Sequence, residues 1–72
     1  MMHHPLKIII EQTSDGFSAY ADQLNIFSVG NNIDDVKINM LEAVNLFLEE
    51  EKKGRMFNIH DLEFISTYIQ LA

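Results

Sequence analysis

"SDGFSAYADQLNIFSVGNN", residues 14–32, is the stretch whose reading decides the fold. Asp15-Gly16 is a strong hairpin signal, because both residue types tolerate the positive φ that a tight turn needs. Residues 17–22 then read as the returning strand. Phe17, Ala19 and Ala21 share one face, and Ser18, Tyr20 and Asp22 share the other. The two alanines leave room for a helix to pack closely over their side. "NIFSVG", residues 25–30, reads as a third, shorter strand that Gly30 can end. Asn32 is placed to cap a helix, its side chain accepting a free first-turn amide. Asp35 stands in the box position, and Asp34 adds charge where the helix dipole favours it.

Before this stretch lies "LKIIIEQ", residues 6–12, with Leu6, Ile8 and Ile10 on one face and Lys7, Ile9 and Glu11 on the other. That is a strand with one wholly apolar side. After the stretch, a step of 100° per residue from Ile33 gathers Ile33, Val36, Met40, Val44 and Phe47 into one stripe, with Leu41, Ala43 and Leu48 at its margins. That stripe is the expected core. Asp35, Asn39, Glu42, Asn45 and Glu49 take the opposite side, and Ile38 and Leu46 stand among them as apolar exceptions. Gly54 is the natural stop for the helix, with Lys52 and Lys53 answering its dipole. Beyond it, Phe57 and Ile59 alternate with Asn58 and His60, and "LEFISTYI" is rich in strand-forming types. One strand is expected within residues 57–70, a short terminal helix from Asp61 being the alternative. The order is β-β-β-α-β: a single small α+β domain over residues 1–72, core 6–68, an antiparallel sheet with one helix on one face.

Seventy-two residues hold one modest core, and chains this short commonly gain stability by oligomerising. The formal charge of −6, from eleven acids against five Lys and Arg, is a poor balance for neutralising a phosphate backbone. It suits a basic protein surface. Without cysteine there is no disulfide framework and no thiol chemistry. The opening "MMHHPLKIII" has no sustained apolar region or small-residue cleavage site, and no stretch is long enough to span a membrane, so a cytoplasmic location is expected.

Little in the sequence carries chemistry. There is no supported Ser-His-Asp arrangement, no Gly-rich phosphate loop and no His/Cys ligand set. His60 and Asp61, if on a strand, point to opposite faces. Glu49, Glu50 and Glu51 are consecutive, which is not calcium-loop spacing. Glu11 and Asp22, the acids of the first hairpin, read as edge or turn residues. No catalytic, metal-binding or cofactor-binding residue is expected, and the chain reads as a non-enzyme.

The apolar first strand, "DGFSAYADQL" (residues 15–24), Gly30 before the capped helix, and "NNIDDVKINMLEAVNLFLEE" together resemble the N-terminal, partially RNase H-like domain of the HicB-family antitoxins. Asp34-Asp35 match that family's acidic first helical turn, and Asn39, Glu42-Ala43 and Leu46 match its helix pattern. The resemblance runs from about Leu6 to Glu50 and more weakly to Tyr68. Where many members have proline-glycine between the second and third strands, this chain has Asn25-Ile26. Many members also carry a helix-turn-helix or ribbon-helix-helix module after the domain, whereas this sequence ends at Ala72. The resemblance implies neutralisation of a small basic RNA-cleaving toxin of the HicA type by covering its active surface. The alternative is a non-catalytic, stand-alone interaction or self-association module without a toxin partner.

Residues left free by the core assignment are the expected contacts: Ile38, Glu42 and Leu46 on the outward helix face, and Ile9 and Tyr20 on the second face of the sheet. A homodimer is also expected, by edge pairing or by exchange of the C-terminal segment. From the charge follows a first test. The chain should show negligible affinity for duplex DNA at physiological salt, and low-micromolar binding that weakens steeply with added salt would contradict this.

Overall fold

A strand with one apolar side needs a layer to cover that side, and the chain supplies it with a single helix. The computed structural model describes residues 5–50 and 56–67. Strands β1 (Leu6–Gln12), β2 (Phe17–Ala21) and β3 (Phe27–Gly30) precede helix α1 (Ile33–Glu50), and β4 (Leu62–Ser66) follows it. The sheet order is β3-β2-β1-β4. Both central strands belong to the first hairpin, whose register pairs Ile8 with Ala21, Ile10 with Ala19 and Gln12 with Phe17.

The sheet is mixed rather than wholly antiparallel. β4 runs parallel to β1, pairing Leu6 with Leu62 and Ile8 with Phe64. Connectivity dictates this direction. Two hairpin reversals leave β3 pointing the same way as β1, and α1 then carries the chain back to its starting side. The next strand must run as β1 does.

Apart from Phe17, which pairs with Gly30 at the start of β2, the helix-facing side of the sheet is graded in size. Ala19, Ala21, Ser28 and Gly30 lie on β2 and β3, where α1 comes close, whereas Leu6, Ile8, Ile10, Leu62 and Phe64 stand on β1 and β4. Val36, Met40 and Val44 of α1 are fully buried against them, and Ile33 and Phe47 complete the expected stripe as partly buried neighbours. The approach is tightest at Gly30, where a Cβ atom would sit 2.4 Å from the backbone nitrogen of Val36. Gly16 is as constrained: its φ is 157°, and a Cβ there would lie 2.5 Å from the Gly30 carbonyl oxygen. The hairpin glycine thus serves close approach as well as the four-residue turn, which the Thr13 N–H closes by donating to the Gly16 carbonyl at 2.8 Å.

Asn32 caps α1 as expected. Its side-chain oxygen accepts the Asp35 N–H at 2.8 Å, its carbonyl accepts the Val36 N–H at 3.0 Å, and its amide donates to the Asp35 carboxylate at 3.3 Å. The third strand begins later than its composition indicates, at Phe27. Ile26 instead turns into the core, held by its carbonyl's bond from the Ala21 N–H and by its own N–H to the Leu24 carbonyl. The second strand ends one residue early, at Ala21. The alternation at Phe57 and Ile59 is not a strand either. Asn58 caps a single 3₁₀ turn, Ile59–Asp61, so His60 and Asp61 lie in that turn, and neither a strand nor a terminal helix starts there. Lys52, Lys53 and Gly54 lie outside the described residues, as do residues 68–70 of the expected last strand.

Gly30→Ala should lower stability by roughly 1–3 kcal/mol, because backbone rather than a flexible side chain blocks the added methyl. Val44→Ala should cost a similar roughly 1–3 kcal/mol through lost packing, and Ile38→Ala no more than about 0.5 kcal/mol. Urea denaturation of the three variants checks this, and a Gly30→Ala midpoint equal to wild type would contradict the close approach.

Candidate interaction surfaces

Side chains alternate along a strand, so burying one face of this sheet exposes the other. On the uncovered face, register aligns one residue from each strand: Phe27 opposite Tyr20, Tyr20 opposite Ile9, and Ile9 opposite Ile65. The result is a continuous apolar row across all four strands. Phe27 is 65% exposed and Tyr20 39%, with Ile9 and Ile65 half-buried between and beside their neighbours. Val29, 57% exposed, widens the row on β3, and the small Ser18 beside it is buried by its surroundings. Polar groups flank the row on both of its long sides. Lys7 and Glu63 are exposed partners in register on one side, next to Asp22, and Glu11 lies on the other.

The outward face of α1 is of a different kind. Asp34, Asp35, Glu42, Glu49 and Glu50 are all exposed, and Ile38 and Leu46 stand among them at 54% and 59% exposure. The helix's lysine, Lys37, leans toward the sheet, its Nζ 5.2 Å from the centroid of the Phe64 ring. This face is acidic with two apolar points.

The five residues expected from the sequence to meet a partner therefore divide into two groups. Ile9 and Tyr20 are neighbours on the open sheet face, whereas Ile38, Glu42 and Leu46 lie on the far side of the helix layer. One flat partner surface does not reach both. Sequence reasoning missed Phe27, Val29 and Ile65. The signal was present for the first two: alternation through residues 26–30 puts Phe27 and Val29 opposite Ile26. Asn39 and Asn45, grouped by periodicity with the solvated side, have structural roles instead. The Asn39 amide donates to the Val29 carbonyl at 2.8 Å and so caps part of the β3 edge. Asn45 clamps the segment that leads to β4, its oxygen accepting the Phe57 N–H at 2.7 Å and its amide donating to the Phe57 carbonyl at 3.1 Å.

A cleft of about 480 Å³ opens between the β1–β2 turn and the start of α1. Asp15 and Asp35 reach its wall, with Asn31, Asn39 and Thr13 as neutral polar groups. Asp35 is already engaged in the helix cap and Asn39 in the β3 edge. Glu11 and Asp22 do not converge: Glu11 pairs with Ser18, whereas the Asp22 N–H bonds the Lys7 carbonyl, four residues or roughly 13 Å away along β1. Among the described residues there is no group of three or more His, Asp or Glu side chains arranged to hold a metal ion. No helix among them is long and apolar enough to cross a membrane. Comparison with known protein families, curated proteins and solved structures gave no match.

Proposed function

We propose that this chain is a non-catalytic, antitoxin-like binding protein of the cytoplasm, and that it neutralises a small basic RNA-cleaving toxin by covering its active surface. The observation that carries this reading is the outward face of α1, where five exposed acids surround Ile38 and Leu46. An RNA-cleaving protein must present cationic groups to phosphates, so its active surface is the natural complement of such a face. Opposite charge speeds the encounter and rejects acidic competitors. Apolar residues within a charged surround supply the desolvated contacts that hold a complex together. Ile38, Glu42 and Leu46 take these roles, with Glu42 between the two apolar contacts and able to meet a Lys or Arg.

The sheet face favours a second reading, in which the chain self-associates and has no toxin partner. Its apolar row is broader than the two helix positions and less dominated by one sign of charge.

Co-expression with the product of an adjacent small basic open reading frame, followed by calorimetry, tests the first reading. Ile38→Ala and Leu46→Ala should each weaken binding about tenfold or more with melting curves nearly unchanged, and Tyr20→Ala should bind at full strength. Full-strength binding by both helix variants would remove α1 from the interface. A chain that forms no complex with any such product favours the second reading.

A further inference from the structure

We infer that the open sheet face binds a second copy of this chain, sheet against sheet, about a two-fold axis parallel to the row Phe27–Tyr20–Ile9–Ile65. This surface is separate from the acidic face of α1 and does not depend on what that face binds.

The argument rests on the order of residues along each strand. On β1 the open face reads Lys7, Ile9, Glu11: a cation, an apolar centre, an anion. A two-fold axis along the apolar row stacks each row residue on its own copy and reverses the strand direction. Lys7 of one molecule then lies over Glu11 of the other, twice by symmetry. On β4, Glu63 stands two residues before Ile65, and on the other side Thr67, just past the end of the strand, donates its hydroxyl to the Ile10 carbonyl at 3.1 Å, so Glu63 meets no carboxylate there. On β2, Ser18 is buried on one side of Tyr20, and Asp22 on the other side lies just beyond the end of the strand, so this strand sets no carboxylate against a carboxylate. No like charges are directly opposed. An axis turned by a right angle, along the strands and midway between β1 and β2, would instead set Lys7 over the Asp22 end of β2, Glu11 over Ser18 and Phe27 over Ile65, an arrangement that Glu11→Lys would not weaken.

Geometry permits the contact. Facing sheets pack about 10 Å apart, a gap that Tyr, Phe and Ile fill from both sides and that Lys and Glu side chains bridge together. Strand spacing makes the face roughly 15–20 Å on a side. Two such faces cover roughly 450–800 Å² in total, below standard stable interfaces and in the range of weak, transient ones. The dimer is accordingly expected to be concentration-dependent rather than permanent. An uncovered row containing Phe27 at 65% and Tyr20 at 39% exposure is otherwise an aggregation liability in a chain this small.

Sedimentation equilibrium on the full chain decides the matter, with circular dichroism melts confirming that each variant folds. The wild-type chain should pass from 8.3 kDa to twice that mass within the micromolar range. Lys7→Glu puts like charges opposite each other at both symmetry-related positions, as does Glu11→Lys, and each should raise the dimer dissociation constant about tenfold or more. An equimolar mixture of K7E and E11K restores opposite charges at both positions and should dimerise at least as well as wild type. A wild-type chain that stays at 8.3 kDa throughout would overturn the inference. So would dimers that neither variant weakens, the outcome expected of edge pairing through β4, or a mixture no tighter than its separate components.

Discussion

The close approach of the α1 backbone to β3 governs the rest of this structure. Gly30 ends the strand, Asn32 caps the helix, and by Val36 the helix backbone lies over Gly30 with no space for a Cβ atom. The helix cannot drift from the strand it has just left. Its stripe of Val36, Met40 and Val44 is fixed on one face of the sheet, and the small residues Ala19, Ala21 and Ser28 keep that face low enough to accept it. The larger Ile8 and Ile10 fill the remaining depth. One helix covers one face, so the same constraint leaves Phe27 and Tyr20 exposed on the other, with Ile9 and Ile65 half-buried beside them.

That division separates two kinds of surface on one small molecule. The outer side of the helix concentrates acid around two exposed aliphatic residues. The outer side of the sheet carries a continuous apolar row with charge of both signs at its margins. The first is suited to a cationic partner and the second to a surface of its own kind. A chain with a net charge of −6 resists random self-association, so an apolar row becomes a selective dimer contact only where opposite charges are opposed, as Lys7 and Glu11 are in the proposed arrangement.

The elements most readable from sequence were those set by local rules. Alternation in residues 6–12, the Asn32 and Asp35 cap and the 3.6-residue stripe of α1 each follow from neighbours within a turn or two. What was hidden depended on distant partners. The direction of β4 required the whole path to be traced rather than the composition of "LEFISTYI". Phe57 and Ile59 alternate like a strand, yet Asn58 and Asp61 bond each other's backbone groups and tie the chain into a turn. Asn39 and Asn45 look solvated because periodicity treats every amide as outward-facing, and only the tertiary structure brings Val29 and Phe57 within their reach. For the candidate surfaces, Ile38, Leu46, Ile9 and Tyr20 were legible as exposed apolar residues. Their separation onto opposite sides of the molecule was not, because no local pattern encodes the thickness of the helix layer.

The most direct test of this division is a dilution series of ¹⁵N-labelled chain followed by amide chemical shifts. If the two faces have separate roles, dilution through the micromolar range should move the amides of residues 7–11, 18–20, 27–29 and 63–65 together along one binding curve. Those of Ile38, Glu42 and Leu46 should stay still. Shifts that follow the outer face of α1, or that are confined to β4, would contradict the account.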